Sequence, residues 1–222
     1  MKRHGQVWGI YIIKKDEISW LESLAKLVNA KLSEKPELDN KLSLKKKFKG
    51  SLGEVIGLIE LYRHLGDSCT YEWFGGRKKD FDLIVRNNQA EIKIQIKASF
   101  EDEYSFQIPT KGYRPEDIEE IKNKNFTNFL KTLNKNIDKK NVDFWLFIHV
   151  KSGGNTFYIL DKKSLNRILE EDYRRYLNKP KNKITGYGIK DGIARFFLKE
   201  KNVSDLLEQY EGKWDLITAR MK

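Results

Sequence analysis

Cysteine is nearly missing from this sequence: Cys69 is the only one. A single thiol excludes an internal disulfide framework and any zinc site built on paired cysteines. The three histidines, His4, His64 and His149, never stand at metal-ligand spacing, so zinc chemistry has no ligand set. No apolar run approaches the roughly 18 residues of a membrane span. The basic start, Met1 to Gly5, leads into a short apolar stretch, 7–13, and then Lys14-Lys15-Asp16, with no small-residue cleavage site. No signal peptide is expected. These absences point to a soluble, cytoplasmic protein with no membrane partner. Acidic residues are also in deficit, 32 Asp+Glu against 43 Lys+Arg, for a net charge of +11. That excess suits a polyanionic partner, of which nucleic acid is the commonest soluble one. A Lys-rich protein with no such partner is the alternative.

What is present is enough for a core. Of 222 residues, 39% are hydrophobic and 12% aromatic, a composition that disordered chains rarely match. No repeat, linker or composition break divides the chain, so one domain is expected over 1–222. Helical spacing of Ile18, Leu21, Leu24, Leu27 and Val28 predicts a helix over 17–32. The polar stretch 33–49, ending in Lys45-Lys46-Lys47-Phe48-Lys49, reads as a solvated loop with a minor option as a phosphate clamp. A helix over 51–65 stops at Gly66. Strands follow at 68–74, 80–86 and 90–99, with turns at Gly75-Gly76-Arg77-Lys78-Lys79 and Asn87-Asn88. A polar stretch runs to Tyr113, and a long helix from Pro115 to about Ile137. The near-continuous apolar run 142–151 is what a strand covered on both faces looks like. A strand at 156–160 and a helix at 164–176 come next. Residues 178–190 read as a basic loop, 193–198 as a strand and 203–210 as a last helix. The order of helix, three strands, helix and two strands gives an α/β domain with a central mixed sheet.

The strand 90–99 carries the strongest signal. Ile92, Ile94, Ile96 and Ala98 alternate onto one face, while Glu91, Lys93, Gln95, Lys97 and Ser99 take the other. The neighbouring strand opens with Asp80-Phe81-Asp82. Aspartate is disfavoured in strands, and Asp82 abuts an apolar run, so its carboxylate needs a lysine, a metal or both. Twelve residues, 83 to 94, separate Asp82 from Gln95, enough to finish a strand, turn and return. A hairpin sets Asp82 near Gln95 and Lys97; a plain Asp82–Lys97 ion pair is the simpler alternative. On the preceding helix, Glu54 shares a face with Leu58, Leu61 and Leu65. Either it is a favourable charge in a first helical turn, or it is delivered to whatever those leucines pack on. Glu60, near Arg63 and His64, reads as solvated.

Taken together, Gly50 to Glu54 opening a helix, Asp80-Phe81-Asp82 opening a strand and Gln95-Ile96-Lys97 closing the next resemble the PD-(D/E)xK, or restriction-endonuclease-like, nucleases. The likeness is to the Mrr-like and resolvase-like branches, where Gln often replaces the acidic residue. It covers about 49–160, with extensions at 1–48 and 161–222. Two departures are the missing proline before Asp80 and the uncharged Gln95. Glu91-Ile92-Lys93 is a second frame matching the acidic motif, nearer the strand start. The resemblance implies a restriction-endonuclease-like three-layer core, αβββαβ, with extra helices at both ends. It implies Mg²⁺-dependent cleavage of DNA, most simply double-stranded, with Mn²⁺ as a substitute. Asp82, Gln95 and Glu54 are the implied metal ligands, with Lys97 as the fourth catalytic residue. Arg77, Lys78, Lys79, Lys49 and Lys93 are candidate phosphate contacts. Restriction or defence is the implied role, with repair or junction resolution as a neighbour. A homodimer suits double-strand cutting. A degenerate site, leaving a nucleic-acid-binding module on the same fold, is the competing expectation.

Overall fold

The computed structural model describes residues 11–13, 15–34, 42–74, 80–108, 137–138, 140–178, 187–190 and 193–222. In chain order these form β1 (Tyr11–Ile13), α1 (Lys15–Glu34), α2 (Leu42–Leu65), β2 (Thr70–Trp73), β3 (Leu83–Arg86), β4 (Glu91–Ser99), β5 (Ser105–Ile108), β6 (Phe144–Lys151), β7 (Gly154–Asp161), α3 (Lys162–Asn178), β8 (Tyr187–Lys190), β9 (Ile193–Lys199), α4 (Glu200–Leu207) and α5 (Asp215–Arg220). The architecture is α/β, with a mixed six-stranded central sheet in the order β1-β2-β3-β4-β6-β7. Only β4 and β6 run parallel, and the other neighbours are antiparallel.

Sequence alternation decides which face each side chain takes. In β6, Phe144, Leu146, Ile148 and Val150 enter one core with Ile92, Ile94 and Ile96 of β4, while Trp145 and Phe147 enter the other. The first core lies under α2, whose Leu58 and Leu61 are fully buried in it. The second gathers Phe106 and Ile108 of β5, Leu165, Ile168 and Leu169 of α3, and Val203 and Leu207 of α4. A central strand apolar on both faces is what two covering layers demand. Residues outside 49–160 complete both cores: Leu21 and Ala25 join the first with Trp214, Ile217 and Met221, and Leu198 joins the second.

Several elements differ from the sequence expectation. Helix α2 begins at Leu42, so the lysine run at 45–47 lies on a helix and not in a loop. Lysine is a good helix former, and the run contains no Gly or Pro until Gly50. The helix does stop at Gly66, which has the positive φ of +69° that glycine tolerates best. The expected polar stretch after β4 contains β5, and the expected loop at 178–190 contains β8; with β9 they make a three-stranded sheet, β5-β9-β8. An additional helix, α5, follows Trp214, which stacks on His64 at 4.4 Å. The strand expected at 80–86 starts at Leu83. The helix expected over 115–137 lies outside the described residues except at its last position, as does the turn 75–79.

Candidate active site

Asp82 precedes β3, yet its backbone is locked on both sides. Its N–H donates to the Ile94 carbonyl at 2.9 Å, and its own carbonyl accepts from the Phe74 N–H at 3.0 Å. The register Leu83↔Ile94, extended one step, sets Asp82 across from Gln95, as the hairpin spacing predicts. Phe81, packed edge-on against Phe74 at 5.4 Å, anchors the preceding residue in the second core. The Asp82 carboxylate is buried, 5% exposed. Its Oδ2 accepts the Ile96 backbone N–H at 2.8 Å and a hydrogen bond from the Gln95 amide. Oδ1 has no hydrogen-bond partner among the described residues.

Burial pushes the Asp82 carboxyl above its usual range, against the downward pull of the Lys97 ammonium and the two hydrogen bonds. Lys97 lies on the same face two residues beyond Gln95, half-buried. It makes no hydrogen bond or ion pair with a described residue, and its ammonium acts on the Asp82 carboxyl electrostatically. Asp82, Gln95 and Lys97 therefore come together on the sheet face opposite α2.

Glu54 reaches the same end of β3 from the other face. It stands well inside α2, and no acidic residue occupies that helix's first turn, so the end-of-helix explanation for its charge does not hold. Its carboxylate is buried, and Oε2 accepts the indole N–H of Trp73 at 2.7 Å. Trp73 pairs with Leu83, the residue next to Asp82. Gly53 beside it touches Ala98 so closely that α2 rides directly on β4.

The remaining candidates separate. Glu91 of the second frame is engaged by Arg86, which also binds Glu72, and by Lys93 at 3.3 Å. Arg86 holds the Glu91 carboxyl below its usual range. That frame is a surface ion network away from Asp82. Lys93 also reaches Asn141 Oδ1 at 3.3 Å. Lys49 is placed over the Phe100 ring at 5.6 Å, near the end of β4. Arg77, Lys78 and Lys79 lie outside the described residues. Glu60 accepts from Arg63 at 2.8 Å and lies 3.5 Å from His64, so it is paired as well as surface-facing.

Sequence reasoning missed Trp73 as the partner of Glu54, and His149. His149 is buried on β6 at the Ser99 rung, and its Nε2 donates to the Glu101 carbonyl at 2.8 Å. Together with the Ser99 hydroxyl, which accepts the Ser105 N–H at 3.1 Å, it pins the turn after β4. The available signal was a polar residue in step with Trp145 and Phe147 inside an otherwise apolar strand.

Among the described residues no group of three or more His, Cys, Asp or Glu gathers to hold a metal ion. On the Asp82 face the side-chain donors are the Asp82 carboxylate and Gln95, whose amide N–H donates to Asp82; the Glu54 carboxylate lies on the other face with Trp73. Comparison of the chain with protein-family models, with curated proteins and with solved structures gives no match.

Proposed function

We propose that this protein is a Mg²⁺-dependent endonuclease that hydrolyses phosphodiester bonds in double-stranded DNA. One observation carries the reading: a buried aspartate just before a strand lies across from Gln95, with Lys97 two residues on and acting on its carboxyl electrostatically. Oδ2 satisfies the Ile96 N–H and the Gln95 amide, while burying the charge of Asp82 is costly without a cation. The donor chemistry fits Mg²⁺, a hard ion that takes oxygen ligands, commonly one or two carboxylates, and keeps several waters. Asp82, through Oδ1, and the Gln95 amide oxygen would hold it; Glu54, on the other face with Trp73, is not brought to them. When bound, the ion supplies charge neutralisation at the scissile phosphate and acidifies the attacking water. Lys97 donates to the phosphate oxygens as negative charge builds on them, and orients the nucleophile. To serve as a ligand Gln95 would present its amide oxygen in place of the N–H that now donates to Asp82.

No helix among the described residues is long and apolar enough to cross a membrane. A cytoplasmic enzyme acting in restriction or defence, as a homodimer when cutting both strands, completes the reading. Repair or junction resolution uses the same chemistry. A second reading rests on the Gln95 amide: its N–H already satisfies Asp82, as in a site that has lost its metal and kept only nucleic-acid binding. Supercoiled plasmid separates the two. Nicking or linearisation with Mg²⁺ (or Mn²⁺), abolished by chelator and by Lys97→Ala, is the expected result. A mobility shift without cutting under all these conditions supports the binding module instead.

A further inference from the structure

Among the described residues β7 is the longest strand at a sheet edge: eight residues, against three in β1 and four each in β5 and β8. A long open edge offers a row of backbone donors and acceptors to any other strand. The sequence of β7 sharpens that hazard. From Gly154 to Leu160 it reads Gly-Asn-Thr-Phe-Tyr-Ile-Leu, aromatic and β-branched, with no charge and no proline. Among the described residues one segment meets this edge. Glu211 forms a β-bridge with Tyr158, and the Gly212 N–H donates to the Phe157 carbonyl at 2.9 Å. Gly212 has a φ of +61° and nothing within 4 Å of an added Cβ, so its need for glycine lies in the backbone alone. The chain then crosses the α2 face of the sheet. Trp214 stacks on His64 at 4.4 Å and tilts against Phe157 at 5.6 Å. Ile217 and Met221 are buried in the first core, and the Met221 carbonyl accepts from the Asn87 amide in the β3–β4 turn.

We propose that residues 211–221 form a strap that occupies the β7 edge and so prevents a second copy of this chain from pairing there. Trp214, Ile217 and Met221 hold the strap down, and the contacts of Glu211 and Gly212 cover the edge. In an antiparallel ladder alternate residues turn both backbone groups outward. The Phe157 carbonyl faces outward, so the backbone of Asn155, two residues earlier, does the same. The strap is a property of the fold and stands apart from the nuclease reading.

The test reads oligomeric state by light scattering over a concentration series, with folding followed by circular dichroism. Gly212→Pro removes the donor to Phe157 and cannot take a positive φ. It is expected to self-associate at a concentration at least about tenfold below wild type. Adding Asn155→Pro takes an outward N–H from β7 and returns the wild-type behaviour. Ile217→Ala empties the core beneath the strap and lowers the melting temperature. Its association stays that of wild type, because the edge contacts are kept. If Gly212→Pro does not fold, Gly212→Ala strains the same φ while keeping the N–H, and a smaller shift in the same direction is expected there. Wild-type association in whichever Gly212 variant folds overturns the inference. So does association that Asn155→Pro does not reverse, or equal association in Ile217→Ala, since either would trace it to exposed core and not to the strand edge.

Discussion

At Asp82 burial makes the charged carboxylate costly to the fold. Its carboxyl is raised by desolvation, with Lys97 and two hydrogen bonds only partly compensating. A raised carboxyl binds its proton more tightly folded than unfolded. Its favourable contribution is therefore complete below the ordinary aspartate value of 3.8 and is lost as pH rises through the folded value. Asp82→Asn keeps an oxygen for the Ile96 N–H and removes the buried charge. Expected is a protein more stable than wild type at neutral pH, by about 0.5–2 kcal/mol, and unable to cleave. The advantage over wild type shrinks as pH falls and Asp82 takes up its proton; a gap that widens on acidification contradicts this account. Gln95→Glu works in the opposite direction. A second carboxylate against Asp82 lowers the melting temperature in chelator, and Mg²⁺ restores it by more than in wild type. Equal melting curves with and without Mg²⁺ in this variant would remove the metal from the site.

At the level of elements, the hairpin was legible because two independent patterns agree on it. Alternation in 91–99 assigns the faces, and the twelve residues between Asp82 and Gln95 allow one register that joins them. The face of α2 was legible from Leu58 and Leu61, both fully buried. Leu61→Ala should cost about 2–5 kcal/mol, measurable by urea unfolding, because it opens a cavity between helix and sheet. A cost near zero would mean that α2 is not seated as described. The start of α2 was hidden by composition: lysines suit a loop as well as a helix, and their propensity is too even to decide. β5 and β8 were hidden for a different reason. Each is four residues long and pairs only with β9, so its existence depends on a partner far along the chain. Phe106 and Ile108 alternate with Ser105 and Gln107, yet four residues in a polar setting do not outweigh a loop. Glu54 was legible as an inward-facing carboxylate. Its partner Trp73 was not, since a helix-to-strand hydrogen bond leaves no mark in either element's periodicity.

Across the whole molecule the charge of +11 is a long-range property, and where it is concentrated decides what it does. Many described cations are already spent on carboxylates: Arg63 on Glu22 and Glu60, Arg86 on Glu72 and Glu91, Arg175 on Asp205. Such pairs contribute little to the field that a distant phosphate meets. Lys97 and Lys49 are different. Neither forms an ion pair with a described carboxylate, and both stand toward the C-terminal end of β4, Lys49 above the ring of Phe100. If DNA passes that end of the sheet, each contributes to the counterions released on binding. Affinity should then fall steeply with salt, in proportion to the phosphates neutralised. Lys49→Ala should weaken binding about equally on unrelated DNA sequences and make the plot of log affinity against log salt shallower by about one unit. The measurement uses Ca²⁺ in place of Mg²⁺ so that duplex is bound but not cut, since the larger ion activates water less well. Lys93, held by Glu91 and Asn141, serves as the comparison: its removal should leave the slope close to wild type. Equal slopes for wild type and Lys49→Ala would place the DNA elsewhere on the surface. Asp82 and Lys97, on the opposite face of the sheet from α2, would then have to meet the phosphates without Lys49.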